Sequence, residues 1–428
     1  MSSSPVRSKF ASDVERISFP DARTAMLART KPLPTEIVSL LEANGRVVAE
    51  TYRASEDIVP FARSAMDGYA LRASDTDGAT EAVPTTLPVL GASYAGDAPS
   101  ALLPGSASAI TTGAMLPSGA DAVVPFEDID RIGDTIVIRE PLAPRDHVFE
   151  PGDDAKGGEA LVPAGTVLTP GGAALLASAG VSRVAVHRRP RVAIVSTGNE
   201  VVGLDQTPAL GQIRNSNATM LAACLAADGA VVVSSEHAQD DEQALRTTLE
   251  RALQGTDLVI TTGGASTGER DFVKRACRTL GADFAFDSIA LRPAKPTGFA
   301  SVGATLVAVF PGNPAAAYVA YVSLLRGVIR RLSGHAEAYE SLISATLYGT
   351  IRRKERRHFL MFASLKFYDG VLHAQPLENQ CSSLVRTSAE ANALIVADPG
   401  NGFLTTGQAV PVIVVDNSRL FKSPVSPK

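Results

Sequence analysis

Four short apolar runs, rich in β-branched residues, alternate with helical stretches from residue 190 onward. The runs cover residues 192–196, 230–234, 258–262 and 305–310. They lack the polar alternation of a half-exposed strand, so each is expected to be buried on both faces, as in a parallel sheet covered by helices. Helical stretches at 218–227, 243–253 and 272–280 lie between them, each ending close to a glycine. The alternation predicts a doubly wound α/β domain over residues 190–332.

The regions on either side carry different patterns. Helical patterns occur at residues 22–27 and 35–41, and a further helical run ends at Gly180, in the position of a C′ glycine. Residues 58–146 hold short apolar runs between glycines, prolines and threonines, which is typical of a small β domain. Residues 333–428 again show a pattern of short strands, which predicts a small β-barrel. The strands predicted there are 345–350, 359–365, 393–397 and 409–415.

Length, charge and cysteine content exclude several classes of protein. A chain of 428 residues is too long for one core and predicts three or four domains. The formal net charge of −5 leaves no basic excess for a phosphate backbone, which argues against a nucleic-acid partner. No apolar run is long enough to cross a bilayer, and the first residues lack the apolar segment of a secretion signal. The three cysteines form neither a zinc spacing nor a disulfide framework, so the sequence predicts a cytoplasmic protein.

The loops that follow the predicted strands carry glycines and carboxylates. In an open α/β sheet, ligands bind beyond the carboxyl ends of the strands, where loops lead into helix N-termini. The four loops read STGNE at 196–200, HAQDD at 237–241, TTGGASTGERD at 261–271 and PGNP at 311–314. We therefore expect a ligand site at this edge of the sheet.

The third of these loops has the composition of an anion cradle. Gly263, Gly264 and Gly268 let the backbone approach a ligand, while the following helix offers free N–H groups to a phosphate. Ser266 adds a hydroxyl. The motif is neither a Walker A sequence nor GxGxxG, and a tight strand-to-helix turn explains the glycines equally well. In the second loop, Asp240 is spaced as the first residue of a capping box, so a capping role competes with a ligand role.

Two cations stand beside prolines at residues 291–297, which read LRPAKPT. The stiff backbone suits Arg292 and Lys295 for the capture of an anion such as a phosphate or an oxyanion. A solvated loop is the alternative. Asp67, within SAMDGY, and Asp154, after a proline and a glycine, occur in motifs that in isolation indicate only turns.

Taken together and in this order, these segments closely resemble the molybdopterin molybdotransferase family, which includes the C-terminal domain of gephyrin. The matching stretches are PFARSAMDGYAL (60–71), TTGAMLP (111–117), PGDDAKGGEALVPAGTVLTP (151–170), VAIVSTGNE (192–200), GQIRNSNATML (211–221), ITTGGASTGERDFVK (260–274), RPAKPTGFA (292–300), FPGNPAAA (310–317) and ENQCSSLVRTSAEANALIV (378–396). The resemblance covers nearly the whole chain, and SAMDGYA together with GGASTGERD is a specific combination.

The resemblance implies a multidomain fold of α/β and β architecture. The implied domains are an elongated α+β domain (20–57 with 147–189), an inserted small β domain (58–146), a doubly wound α/β domain that binds the pterin nucleotide (190–332) and a C-terminal β-barrel (333–428). Family members form homodimers whose active cleft lies between the α/β domain of one subunit and the β domain of the other. A homodimer is therefore expected here.

The functional positions of the family transfer to this chain one by one. The family's carboxylates fall on Asp67, Asp154, Glu200, Asp240 and Asp271, its cleft threonine on Thr112, its cations on Arg292 and Lys295, and its loop prolines on Pro311 and Pro314. The resemblance assigns the pterin nucleotide to Gly263, Gly264, Ser266 and Gly268, and a Mg²⁺ ion to Glu200, Asp240 and Asp271. Ala294 departs from a glycine common in the family, and Arg63 from an asparagine. Whether Asp240 or Asp241 faces the ligand, and which carboxylates bind metal, stays open.

The implied reaction inserts molybdate into adenylated molybdopterin, with the help of a divalent cation, and yields molybdenum cofactor and AMP. The dithiolene sulfurs of the substrate hold the molybdenum, so cysteine ligands are not needed. The expected partners are the small-molecule substrates, with the adenylyltransferase and molybdoenzyme apoproteins as candidate protein partners and neither nucleic acid nor membrane. Molybdate and tungstate, which have nearly the same size and charge, both fit. Two alternatives stay open: adenylation of molybdopterin, and a non-catalytic gephyrin-like scaffold, against which the five retained carboxylates argue.

Overall fold

A computed structural model describes residues 16–98, 100–264, 272–353 and 356–421. These residues form an α/β domain, an elongated domain, a small β domain and a closed C-terminal barrel, which confirms the predicted fold class. None of the helices within these four segments is long and apolar enough to cross a membrane.

The α/β domain is built on a six-stranded sheet, in which the four predicted strands are confirmed. In sheet order its strands are Val231–Ala238, Arg191–Thr197, Leu258–Thr262, Thr305–Phe310, Gly298–Val302 and Asp283–Phe286. The first four run parallel to one another. Gly298–Val302 is antiparallel to both of its neighbours, so Asp283–Phe286 runs in the same direction as the first four. The central strand Arg191–Thr197 is buried after its first residue. Val192 and Ile194 contact one helix layer, while Ala193 and Val195 contact the other, so both faces are covered.

Helices lie on both sides of this sheet. They are Ser216–Ala227, Glu242–Ala252, Phe272–Thr279, Pro314–Ala320 and Arg326–Leu332, with a π-helical segment, Tyr321–Leu325, between the last two. Pro314 takes the first helical position, as predicted, where its missing N–H is no loss. The N-terminal helix Phe19–Ala28, which the sequence groups with the elongated domain, buries Phe19, Ala22 and Met26 in the core of the α/β domain.

The elongated domain corrects one helix prediction. Residues 35–41, predicted to be helical, form instead the strand Thr35–Ser39, which pairs antiparallel with Arg183–His187. Only the short segment Leu40–Ala43 is helical. The prediction is wrong because pairing with a strand that is distant in sequence overrides the local pattern. The other elements are the helix Pro170–Ser178, which is followed by Gly180 as predicted, and the paired strands Tyr52–Arg53 and Ala160–Val162.

The small β domain is a six-stranded sheet that depends on a close approach of two strands. In sheet order its strands are Ala122–Pro125, Gly68–Leu71, Ala107–Ile110, Thr85–Ser93, Thr135–Ile138 and Asp130–Ile132. A Cβ on Gly68 would lie 2.0 Å from the carbonyl oxygen of Val124, so only glycine permits this pairing. A short ladder between Arg63–Ser64 and Val148–Phe149 lies where the chain leaves and re-enters the elongated domain.

The C-terminal domain is a five-stranded barrel joined to the α/β domain by a β-ladder. Its strands are Ile343–Leu347, His358–Tyr368, Val371–Pro376, Ala393–Ala397 and Ala409–Val414. The long strand His358–Tyr368 pairs with two neighbours and closes the barrel. Leu291–Arg292, from the α/β domain, pairs parallel with this strand. The C-terminal domain also contains the helix Val385–Glu390 and the paired strands Ile351–Arg352 and Phe403–Leu404. In the α/β domain, a further short ladder pairs Val201–Val202 with Ile213–Arg214.

An ion pair joins the elongated domain to the α/β domain. Arg188 donates two hydrogen bonds to the carboxylate of Asp257, at 2.7 and 2.6 Å. The same carboxylate accepts the backbone N–H of Arg191 at 2.8 Å. The side chain of Asp257 is only 14% exposed, so water has little access to compete for these hydrogen bonds. The pair therefore attaches the start of the central strand to the connection between the two domains.

Replacing Asp257 by alanine is expected to lower the free energy of unfolding by about 2 kcal/mol, because two donors lose their acceptor at a mostly buried position. Asp283→Ala is the matched control. Asp283 pairs with Arg29 at 2.9 Å but its side chain is 75% exposed, and such pairs contribute less than about 1 kcal/mol. Urea unfolding followed by circular dichroism measures both losses. Equal losses would contradict the importance of the Asp257 pair.

Candidate active site

Two neighbouring cavities open at the carboxyl ends of the parallel strands. The first, which we call the sheet-end cavity, has a volume of about 450 Å³ and is lined by Ser196, Thr197, Glu200, Val201, Ile213, Arg214, Asn215, Ser216, Asn217, Thr262, Gly263, Gly264, Gly312, Asn313, Pro314, Ser383 and Val385. The second, the cationic cavity, has a volume of about 440 Å³ and is lined by Leu291, Arg292, Pro293, Ala294, Lys295, Pro296, Pro311, Asn313, Ala316, Arg357, Phe359, Gln380, Cys381 and Ser382. Asn313 lines both, so the two cavities adjoin.

The predicted glycine loop begins in the sheet-end cavity. Gly263 has a φ of +96°, and a Cβ there would lie 2.3 Å from the carbonyl oxygen of Thr197. Gly264 has a φ of +59°, and its Cβ would lie 2.8 Å from the Thr197 hydroxyl oxygen. Both backbone conformation and close packing therefore require glycine at these positions. Three further predicted site residues lie outside the described residues: Ser266, Gly268 and Asp271.

Glu200 lies at the rim of the sheet-end cavity, where its side chain is exposed. The carboxylate folds back over Gly198, which has a φ of +135°; a Cβ on this glycine would lie 2.6 Å from a Glu200 oxygen. The Gly198 carbonyl oxygen accepts a hydrogen bond from Nε2 of His237 at 2.8 Å. Because a carbonyl only accepts, Nε2 carries the proton. The Glu200 carboxylate therefore lies against this turn, beside the cavity.

The second loop places Asp240 beside the turn that carries Glu200. The Asp240 N–H donates to Oδ1 of Asn199 at 3.1 Å, and the Asn199 N–H donates to the Asp240 carboxylate at 3.4 Å. The capping box predicted for Asp240 is wrong by one residue. Asp241 has an extended backbone and is the N-cap, and its carboxylate accepts from the Ala244 N–H at 2.8 Å. Asp241 therefore caps the helix, while Asp240 lies beside the turn that carries Glu200.

The two carboxylates do not form a closed metal site. Within the four segments that the structure describes, no group of three His, Cys, Asp or Glu side chains is placed to hold a metal ion. Mg²⁺, however, keeps several waters and is commonly bound through one or two carboxylates together with substrate phosphates. Glu200 and Asp240, exposed on adjacent loops, fit that kind of binding.

A buried amide that the sequence analysis did not single out ties the ends of two loops together. Nδ2 of Asn217 donates to the Thr262 hydroxyl oxygen and to the Gly312 carbonyl oxygen, both at 2.8 Å. The Thr262 hydroxyl donates in turn to the Pro311 carbonyl oxygen at 3.2 Å. Because the Gly312 carbonyl only accepts, the orientation of the amide is determined. The available signal was the stretch GQIRNSNATML, which leads into the helix Ser216–Ala227.

The cationic cavity contains both predicted cations, Arg292 and Lys295, and also Arg357, which the sequence analysis missed although it ends a basic run. The Arg292 guanidinium lies over the Phe359 ring, 5.0 Å from its centroid. Burial lowers the pKa of Lys295, and repulsion from Arg16 and Arg357 lowers that pKa further. The described residues that line this cavity include no carboxylate. The cavity therefore attracts anions.

Ala294, between the two predicted cations, adopts a backbone conformation that favours glycine. Its φ is +87°, and the residue is 3% exposed. An alanine in the left-handed region costs about 1 kcal/mol or slightly more. The chain thus keeps the loop conformation that a glycine would adopt here, at a modest cost in stability.

The remaining predicted residues lie on other domains. In the β domain, the Thr112 N–H donates to the Asp67 carboxylate at 2.8 Å, at an exposed position. Asp154 is exposed on a turn that begins at Gly152. These three residues line neither cavity of their own chain. The predicted site residues that the structure describes therefore form two groups: one at the sheet end and the cationic cavity, the other on the β domain and the adjoining turn.

Three family models match the chain in order. The model described as "MoeA N-terminal region (domain I and II)" matches residues 17–180, "Probable molybdopterin binding domain" matches residues 193–331, and "MoeA C-terminal region (domain IV)" matches residues 345–415. The order of these matches agrees with the order of the domains in the structure.

Relatives and solved structures agree over most of the chain. Molybdopterin molybdenumtransferase of Nostoc sp. is 35% identical over 386 residues, covering 89% of this chain and 88% of the relative. Molybdopterin molybdenumtransferase 2 of Mycobacterium tuberculosis is 36% identical, covering 76% and 82%. The crystal structure of a molybdopterin biosynthesis MoeA protein from Pyrococcus horikoshii has a TM-score of 0.82 at 27% identity, covering 94% of this chain and 100% of that one. The chain therefore belongs to the molybdopterin molybdenumtransferase (MoeA) family.

Proposed function

We propose that this protein inserts molybdate into adenylated molybdopterin, with release of AMP, to give the molybdenum cofactor. The observation that carries the proposal is the pair of adjoining cavities, one built from glycine loops at strand ends and the other lined by cations. A reaction that joins a pterin nucleotide to an oxyanion needs two such subsites in contact. The names of the relatives described above support the same activity.

The sheet-end cavity is the proposed site of the pterin nucleotide. Its volume of about 450 Å³ lies within the usual range for small-molecule sites. Gly263 and Gly264 let the backbone come close to the ligand. The buried amide of Asn217 joins Thr262 to Gly312, two residues that line the cavity. Ser266 and Gly268 continue this loop in the sequence, and we assign them to the same ligand.

The cationic cavity is the proposed site of molybdate. Arg292, Lys295 and Arg357 present positive charge, and among the described residues no carboxylate lines the cavity to compete for the anion. Pro311 and Pro314 stiffen the loop that lies between the two cavities. Molybdate is a compact dianion, and fixed cations in a partly buried cavity attract it more strongly than cations in open solvent do. Tungstate has the same charge and fits equally well.

Glu200, Asp240 and Asp271 would hold a Mg²⁺ ion together with the pyrophosphate of the substrate. A bound Mg²⁺ would supply positive charge to the phosphate groups. The chain itself orients two of these carboxylates: the Asn199 N–H donates to the Asp240 carboxylate, and Gly198 leaves room for the Glu200 carboxylate. The contribution of the protein is then mostly positioning and electrostatics.

A homodimer is proposed to complete the site. Asp67, Thr112 and Asp154 line neither cavity of their own chain, and in the proposed homodimer the second copy brings them to a cleft. The Thr112 N–H already orients the Asp67 carboxylate for that purpose. The proposal places this homodimer in the cytoplasm, where it receives substrate from an adenylyltransferase and passes cofactor to molybdoenzyme apoproteins.

The first test measures AMP release from adenylated molybdopterin, which is expected to depend on molybdate and Mg²⁺. Asp240→Asn is expected to slow it by about tenfold or more, because loss of the charge weakens Mg²⁺ binding. Asp241→Asn is the matched control, since asparagine caps a helix as well as aspartate does and the rate should stay within about twofold of wild type. Wild-type protein that releases no AMP would refute the proposed function. Pyrophosphate release from molybdopterin and ATP would support the adenylation alternative.

The second test asks whether two subunits share each site. Asp67→Ala and Glu200→Ala are each expected to be nearly inactive as homodimers. After mixing in equal amounts with subunit exchange, roughly half of the dimers carry one intact site, so activity should recover to about a quarter of wild type. A mixture that stays inactive despite demonstrated exchange would exclude a site shared between Asp67 and Glu200.

Molybdate binding is expected to depend on the charge of Lys295 and therefore on pH. The pKa of Lys295 lies below the ordinary lysine value of 10.5. The side chain is positively charged below its own pKa, and it loses this charge at a lower pH than an ordinary lysine does. Molybdate binding should weaken over the same range. Lys295→Arg should bind molybdate to a higher pH, because a guanidinium stays charged. Calorimetric titration of both proteins with molybdate over a pH series measures the difference, and identical pH profiles would contradict the role of Lys295.

A further inference from the structure

A short segment of the C-terminal domain separates the sheet-end cavity from the cationic cavity. Gln380 and Ser382 line the cationic cavity, whereas Ser383 lines the sheet-end cavity. Asn313, from the α/β domain, lines both. We call residues 380–383 together with Asn313 the partition.

Hydrogen bonds tie the partition to both domains. Nδ2 of Asn313 donates to the Ser382 hydroxyl oxygen at 3.2 Å, and the Ser382 carbonyl oxygen accepts the Ala315 N–H at 3.1 Å. On the barrel side, the Gln380 amide accepts the Phe362 N–H at 3.0 Å and donates to the Phe362 carbonyl oxygen at 2.9 Å. The partition is therefore held in place from the barrel and from the helix that begins at Pro314.

The side chain of Asn313 does not play its usual local role. Asn313 is the N-cap of the helix Pro314–Ala320, a position where asparagine commonly accepts an N–H of the first turn. It makes no capping bond here, and the Ser382 carbonyl accepts the Ala315 N–H instead. The bond to Ser382 therefore serves the contact between domains and not the helix.

We propose that Asn313, through its bond to Ser382, is a positioning residue that sets the relative placement of the two substrates across the partition. The inference rests on the proposed function, in which molybdate must pass from the cationic cavity to the pterin nucleotide. Each substrate has its own subsite, so breaking the bond leaves both able to bind. Their alignment is lost, and a displacement of about 1 Å lowers a rate by up to about a hundredfold.

The test is a double-mutant cycle with Asn313→Ala, Ser382→Ala and the combined variant. Each single change is expected to lower kcat for molybdate-dependent AMP release by about tenfold. The dissociation constants of AMP and of molybdate, measured separately by calorimetry, should each stay within about twofold of wild type. The combined variant should lose no more than either single one, because its second change removes a bond that is already broken.

Two further variants separate the loss of the hydrogen bond from a general effect of substitution. Ser382→Thr retains the hydroxyl and is expected to restore most of kcat. Ser388→Ala is the matched control: its hydroxyl bonds to the nearby Val385 carbonyl at 2.7 Å, and it is not among the residues described as lining either cavity. Its kcat should equal that of wild type.

Two results would overturn the positioning role. One is a loss in the combined variant that equals the product of the single losses, and the other is weakened AMP or molybdate binding in the single variants. A different failure, wild-type protein without molybdate-dependent AMP release, would refute the proposed function and the inference with it. The two kinds of failure are therefore distinguishable.

Discussion

A parallel sheet that is covered by helices on both faces leaves the ends of its strands as the place where polar side chains meet a ligand. The strands Arg191–Thr197 and Leu258–Thr262 are buried nearly throughout, with alternate residues in the two helix layers. The loops that leave these strands carry the glycines and the Glu200 carboxylate that form the sheet-end cavity. Burial of the sheet therefore determines where the site lies, before any particular side chain determines its chemistry.

The geometry of that site depends on close packing and on one buried amide. Gly263 and Gly264 bring the third loop against Thr197, where any side chain would clash. Asn217 then joins the end of the third strand to the fourth loop through Thr262 and Gly312. Leaving such buried groups without partners costs about 1–3 kcal/mol each. Gly263 and Gly264 at the start of the third loop, and Gly312 in the fourth, are therefore held in place before a ligand arrives, which favours catalysis by positioning.

The carboxylates of the site lie apart from the cationic cavity. Glu200 and Asp240 lie on the loops beside the sheet-end cavity, which Arg214 also lines, while Arg292, Lys295 and Arg357 line the cationic cavity. A pyrophosphate next to carboxylates needs a cation between them, whereas an oxyanion is attracted to the cations directly. Under the proposed function, this separation sorts the two substrates into their own subsites, and the partition is where they meet. A protein of net charge −5 can thus bind an anion, because the local field and not the total charge acts on it.

The sequence by itself determined the fold class and the regions of the site, because apolar periodicity, glycines with positive φ and short motifs are local properties. Glu200, Gly263 and Lys295 could be named from such motifs alone. Only the tertiary structure decided that Thr35–Ser39 is a strand and that Asp240 lies beside the turn at Asn199. It alone brought Asn217 and Arg357 to the cavities. It also brought Asn313 into contact with Ser382, which is 69 residues away in the sequence. The reason is physical: these roles arise from hydrogen bonds and packing between residues that are distant in sequence, and no local pattern specifies such contacts.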